Sequence, residues 1–309
     1  MLDAARPRLS QVWTSTQLVA PGWSLSDLNV KLSFALSMLQ MRRDMADFLS
    51  RPEQEALNRE VERNLDTLGF AIWPYIHAGW SARKRFEVLS LHHQLLSQDL
   101  RALTVQRGES LDVADLSQFS SGLRLTIDRP PWFKREGSLV LNQFRDGQRL
   151  TSIAFTLGVR NGQRVAYVGC LQGANPNTAL PLLRDTRKDL HGLRTRDFLI
   201  KAFQLLMQHI GVQALYCVSD ATRHHRHRYF KEQSKEELHL NYDAVWQEHG
   251  AVATMDGFYQ LGVVPHAKAI HDIESKKRAQ YRRRYAMLDE LSALLALRFP
   301  RDGTFHQPN

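Results

Sequence analysis

Residues 138–220 decide the fold: SLVLNQFRDGQRLTSIAFTLGVRNGQRVAYVGCLQG (138–173), then HGLRTRDFLIKAFQLLMQHIG (191–211) and VQALYCVSD (212–220). Asp146-Gly147 and Asn161-Gly162 read as two-residue hairpin turns, each flanked by alternating apolar residues. Together they predict a three-stranded antiparallel meander over about 138–171. Phe198, Leu199, Phe203, Leu206 and Ile210 then recur at helical spacing over 194–209, and Gly211 stands where a helix ends. Val212–Val218 is short and continuously apolar, as a strand buried on both faces is. Strand, crossover helix and strand make a parallel βαβ unit, so the sheet is mixed and the class is α+β. The connection at 174–191 carries one short helix around Leu180–Leu190.

Outward from this unit, residues 26–108 read as helical throughout. Leu28, Leu32, Leu36 and Leu39 recur on one face, widened by Phe34, Met38 and Met41, and are expected in the core. Ser50 with Glu53 forms a capping-box pattern, and Phe86, Leu89, Leu95, Leu96 and Leu100 mark a further helix. Gly108, Gly122, Pro130 and Pro131 punctuate a polar stretch that puts a boundary near 110–120. Downstream, 221–250 is polar and partly helical, and Val263–Pro265 is expected to close a last strand. Residues 274–299 read as an amphipathic helix with Tyr281, Tyr285, Leu288, Leu291 and Leu295 on one face. The expected division is a helical subdomain (1–110), a mixed α/β domain (111–270) and a basic C-terminal helix and tail (271–309).

With 309 residues, 43% hydrophobic and 24% charged, the chain has the composition of a globular protein with a sizeable core. A net charge of +9 points to an acidic partner: a phosphate-bearing donor, a carrier protein, tRNA or anionic lipid. The alternative is a soluble protein that happens to be basic. Two cysteines, Cys170 and Cys217, make no disulfide framework and are expected as buried thiols in a reducing compartment. The N-terminus lacks a signal-peptide core, and no run approaches the ~20 apolar residues of a membrane span. The expected location is cytoplasmic, at most peripheral to the inner membrane.

Four constellations could carry chemistry. Gly192, Leu193, Arg194 and Thr195 open a helix whose free amides suit a phosphate, with Arg187 and Lys188 adding charge. The alternative is a basic loop capping a core helix. Ser219–Tyr229 follows a buried strand, where α/β proteins bind ligands; His224 or His225 would serve as base and Tyr229 as acid. A solvated basic loop is the competing reading. No metal is expected there, because the histidines stand among arginines with no carboxylate or cysteine cluster. Tyr242 and Asp243 either reach a cleft or pack the sheet edge. Lys276-Lys277-Arg278 and Arg282-Arg283-Arg284 form a basic helix face, free for an acidic partner or simply solvated. There is no G-x-S-x-G elbow, Walker A loop or dinucleotide fingerprint.

The order of meander, glycine-containing basic turn, helix and buried strand resembles the GNAT acyltransferase superfamily. The resemblance implies an acyl-coenzyme A pyrophosphate at the turn before the helix and a pantetheine arm between Val165–Leu171 and Val212–Val218. It also makes Tyr242 an alternative acid to Tyr229. Cys170–Gly173, Thr186–Arg194, Val218–Asp220, Asn241–Asp243 and the basic tail, in order, resemble the VirK/YbjX family of bacterial proteins. Asn241 and Val245 stand where that family's D-Y-D-x-F-W pattern has Asp and an aromatic residue. This resemblance implies a Gram-negative protein tied to virulence and to resistance against cationic antimicrobial peptides, and it names no reaction. The expected function is transfer of an acyl or aminoacyl group from a coenzyme A, carrier-protein or tRNA donor to an amine or hydroxyl. The alternative is a non-enzymatic protein that docks on anionic membrane or on a protein partner.

Overall fold

The computed structural model describes residues 9–41, 43, 55–230 and 240–300. Strands β1 (Ser110–Asp115), β2 (Leu123–Asp128), β3 (Leu139–Arg145), β4 (Gln148–Arg160), β5 (Gln163–Gly173), β6 (Ala214–Val218), β7 (Val252–Ala253) and β8 (Phe258–Gly262) form one sheet. Its spatial order is β1-β2-β3-β4-β5-β6-β8-β7. Every neighbouring pair is antiparallel except β5 with β6. That is the mixed sheet expected from the parallel βαβ unit.

The meander forms as its turns dictate. Asp146, Gly147, Asn161 and Gly162 all hold positive φ, the conformation of a hairpin turn whose twist matches its strands. Parallel pairing of β5 with β6 requires a crossover, supplied by α5 (Pro176–Asp189) and α6 (Thr195–His209). Phe203 of α6 packs edge-on against Phe155 of β4, with ring centroids 5.0 Å apart. All five residues of β6 are buried, which accounts for the unbroken apolar run.

Among the described residues, four α-helices precede the sheet: α1 (Leu9–Val19), α2 (Leu25–Gln40), α3 (Glu55–Arg63) and α4 (Ala82–Gln98). Phe34, Leu57, Leu68, Phe86 and Leu89 belong to the same apolar cluster as Leu139, Phe155 and Phe203. The helical region is therefore built onto the sheet through a shared core. The Ser50–Glu53 capping pattern lies outside the described residues; Ser24 and Asp27 form a capping box at the start of α2.

Four expectations need correction. Residues 26–108 are not helical throughout: a 3₁₀ turn (Leu65–Ala71) leads into a non-helical stretch where His77 bridges Arg223. The stretch expected to be a polar boundary holds β1 and β2, each with apolar residues on one face and its glycines and prolines in the flanking turns. On α2, Phe34 and Met38 are buried, whereas Leu25, Leu28, Leu32, Leu36 and Leu39 are exposed by 42–82%. Helical periodicity identifies an apolar stripe, but only the neighbouring elements decide which side of the helix is covered. The last strand also ends at Gly262, just before the stretch expected to form it.

Helix α7 (Tyr242–Glu248) follows β6, and α8 (Ser275–Arg298) closes the fold. Leu288, Leu291 and Leu295 of α8 are buried as expected, and the half-buried Tyr281 and Tyr285 pack edge-on against each other. Among the described residues, no helix is long and apolar enough to cross a membrane.

Candidate active site

Pairing of β4 with β5 is in register up to Phe155↔Val168 and resumes at Ala154↔Cys170, leaving Gly169 as a bulge on β5. Parallel pairing of β5 with β6 stops at Val168↔Cys217, one residue before that bulge, while β5 runs on to Gly173. The two strands thus part at Gly169. A Cβ on Gly169 would lie 2.0 Å from the Glu136 carbonyl oxygen, so the loop entering β3 crosses directly over the bulge. This contact sets the Glu136 side chain against the Cys170 thiol.

Tyr242 fills the gap between the parted strands. Its hydroxyl accepts the Leu171 N–H (2.7 Å) and has the Leu171 carbonyl (3.1 Å) and Cys170 Sγ (3.5 Å) as acceptors. Burial pushes the phenol far above its ordinary range, so it stays protonated. Trp246, one turn on, donates to the Val218 carbonyl at 2.9 Å. Asp243 accepts the Asp220 N–H, and Asp220 in turn accepts the Tyr242 N–H and pairs with Arg223 at 3.0 Å. Tyr242 and Asp243 therefore hold α7 to the end of β6, and Tyr242 lies where the resemblance puts a pantetheine arm.

The turn before α6 is likewise satisfied within the chain. The Gly192 N–H donates to the Arg187 carbonyl (2.7 Å) and the Leu193 N–H to the Leu190 carbonyl (3.0 Å). Arg284 of α8 caps the His191 carbonyl at 2.8 Å. Arg194 donates to Asp197 at 2.5 Å and to Glu248, and Arg196 also reaches both carboxylates. Burial works against the Asp197 charge, but hydrogen bonds from His249 and Arg194 and the nearby arginine charges hold its carboxyl well below the usual range. Arg187 and Lys188 remain exposed on the last turn of α5, and Thr195 is the first residue of α6.

His224, His225 and Tyr229, by contrast, come together with groups far away in the chain. His224 and His225 lie in a 3₁₀ turn after β6, their ring centroids 4.2 Å apart. Glu136 Oε1 stands 3.8 Å from His224 Nδ1. The ligand atoms of Glu136, His224 and His225 all lie within 4.8 Å of one another. Burial raises the Glu136 carboxyl to about 7, and burial with neighbouring cationic groups lowers His224 to about 2. Cys170 and Cys217 are free, buried thiols, as expected from the sequence.

Phe230 packs against both imidazoles, with centroids 5.6 and 6.0 Å away, and forms one wall of a groove of about 1450 Å³. Its other walls include Trp80, Ile72 and Tyr229, and its cations are Arg85, Arg135, Arg226 and Arg228. No carboxylate stands among the described lining residues. Burial draws Arg135 below its ordinary range, and burial together with the Arg228 charge takes Arg85 down to about 10. Desolvated guanidiniums crowded by like charge are stabilised by an anion.

Sequence reasoning reached His224, His225 and Tyr229 through their place after a buried strand, but missed Glu136 and the groove arginines 85 and 135. The only local signal at Glu136 is an acid inside Lys134-Arg135-Glu136-Gly137, and nothing in its spacing relates it to residue 224.

Residues 24–296 match a family described as "Protein of unknown function (DUF535)". The chain is 32% identical to the uncharacterized protein YbjX of Escherichia coli (strain K12), over 73% of this chain and 70% of that protein. It is 26% identical to an uncharacterized protein of Haemophilus influenzae, over 69% of this chain and 70% of the relative. No solved structure matches. The family match takes in the sheet, the groove and the Glu136–His224–His225 cluster alike, and the chain belongs to the DUF535 family, in agreement with its resemblance to VirK/YbjX proteins.

Proposed function

We propose that this protein is a GNAT-like transferase that moves an acyl or aminoacyl group from a phosphate-bearing donor to an amine or hydroxyl. Coenzyme A, a carrier protein and tRNA are the donor classes. One adjacency carries the reading: Phe230, on the wall of an arginine groove with no carboxylate among its described lining residues, packs against the imidazoles of the Glu136–His224–His225 cluster. The arginines suit the donor's phosphates, and Trp80, Ile72, Tyr229 and Phe230 suit its apolar arm. The donor phosphate belongs in this groove rather than at the start of α6, where Gly192, Leu193 and Arg194 are already bonded within the chain. As the acceptor attacks the donor carbonyl it loses a proton, and the cluster offers carboxylate and imidazole acceptors. The Tyr229 hydroxyl, on the groove wall, would return a proton to the leaving group. Calorimetric titration with acyl-coenzyme A, acyl-carrier protein and aminoacyl-tRNA tests this. One donor should bind, and Arg226→Ala with Arg228→Ala should weaken it at least tenfold; no binding by any of them would sink the reading.

A second reading, docking on anionic membrane without catalysis, is favoured by the exposed leucine stripe of α2 and by Trp13 and Trp23, exposed beside it in the chain. Arg282 and Arg283 of α8 are also exposed. Flotation with anionic liposomes in the absence of any donor binding would favour it over transfer.

A further inference from the structure

The geometry points to a divalent-cation site formed by Glu136, His224 and His225, filled by a zinc-sized first-row metal ion. Two imidazoles and one carboxylate are the donor set that such ions take in open, chemically active sites. The decisive observation is that Nδ1 of His224 and Nδ1 of His225 are both buried with no hydrogen-bond partner among the described residues. An imidazole nitrogen shut away from solvent and left unpaired costs free energy, and one bound ion within reach of both rings would relieve it. His224 is itself more than nine-tenths buried.

The spacing is close to what an ion requires. Bonds of about 2.0–2.1 Å at tetrahedral angles put neighbouring ligand atoms roughly 3.3 Å apart. Glu136 Oε1 and His224 Nδ1 are 3.8 Å apart, and the whole set lies within 4.8 Å, so modest side-chain rotation brings the ligands into range. The cations that weighed against a metal at the sequence level are partly offset in space. Arg223 pairs with Asp220 and lies 3.6 Å over the Tyr242 ring, and Arg226 donates to the Asp220 carbonyl. Arg135 lies over the Trp73, Tyr229 and Phe230 rings. The Cys170 thiol is a further group close enough to Glu136 to act on its carboxyl.

Metal binding is independent of the transferase reading; on that reading an ion there would replace the cluster's carboxylate and imidazoles as proton acceptors and would instead polarise a donor carbonyl or a bound nucleophile. The test uses the full chain, stripped with chelator and titrated with Zn²⁺ against a chromophoric competitor. Elemental analysis and the visible spectrum of the Co²⁺ form complete it. One equivalent per chain is expected. Glu136→Gln and His225→Gln should each weaken binding by at least the roughly 100-fold that loss of a mere supporting partner costs. His227→Ala should keep full binding, because His227 is turned to Arg85 and to the Tyr229 N–H. Should His224→Gln fail to fold, the other two variants still decide. Substoichiometric binding, or binding that survives both Glu136→Gln and His225→Gln, overturns the site. Arg228→Ala separates the two ideas: it should impair donor binding and leave Zn²⁺ binding intact.

Discussion

The Tyr242 hydroxyl accepts the Leu171 N–H at 2.7 Å just beyond the point where β5 and β6 cease to pair. One side chain thereby satisfies a backbone donor that the parted strands would otherwise leave bare. Tyr242→Phe keeps the ring and removes that acceptor inside a fully buried site. It should cost about 1–3 kcal/mol, the penalty of a buried unsatisfied amide. Urea denaturation measures it; an unchanged midpoint would show that the bond contributes nothing.

The bulge makes a second, sharper demand. Gly169→Ala would place its Cβ 2.0 Å from the Glu136 carbonyl oxygen and 2.9 Å from the Glu136 carbonyl carbon, both backbone atoms that cannot rotate away. The variant should lose about 1–3 kcal/mol as the loop is displaced. It should also weaken any ligand of the Glu136–His224–His225 cluster, because the same loop carries Glu136.

His93 sets an acid limit on stability. Burial is the largest influence on it and lowers its imidazole to about 4, against an ordinary value of 6.5; Glu60 opposes this, and Arg129 and Arg107 add to it. Above about pH 6.5 the ring is neutral in both folded and unfolded chains, and no stability is lost. Between about 6.5 and 4 the unfolded chain takes up the proton first, so stability should fall with pH by about 1.4 kcal/mol per unit for this group. Melting temperature against pH should show this slope in the wild type and a shallower one in His93→Gln.

The two sides of α2 should respond oppositely to substitution. Phe34 is fully buried, and Phe34→Ala should cost about 3–5 kcal/mol. Leu28→Ser and Leu32→Ser, on the exposed stripe, should stay within about 0.5 kcal/mol of wild type. Chemical denaturation of the three variants checks both; a large loss for the leucines would mean that the stripe is covered.

Much of the architecture was legible because its signals are local. Asp146-Gly147 and Asn161-Gly162 are recognisable as turns from the dipeptides alone, and the run at 212–218 carries the mark of a strand buried on both sides. The pair β1 and β2 escaped notice because their apolar residues are few and the turn-forming glycines and prolines around them resemble a linker. Arg194 and Arg196 illustrate the opposite limit. In the sequence they are cations free for a phosphate; in the fold they are taken up by Asp197 and by Glu248, which sits on another helix.

The sequence by itself determined the meander, the crossover helix, the parallel strand and the C-terminal helix, since each is written in a window of a few turns or one hairpin. It also determined the presence of histidines after β6. Only the tertiary structure decided that Glu136, His224 and His225 come together in one cluster beside Cys170 and that the arginines at 85, 135, 226 and 228 line one groove. The physical reason is that a sheet brings together strand ends far apart in the chain, and the desolvation and unpaired polar atoms that define the site exist only once that packing is complete.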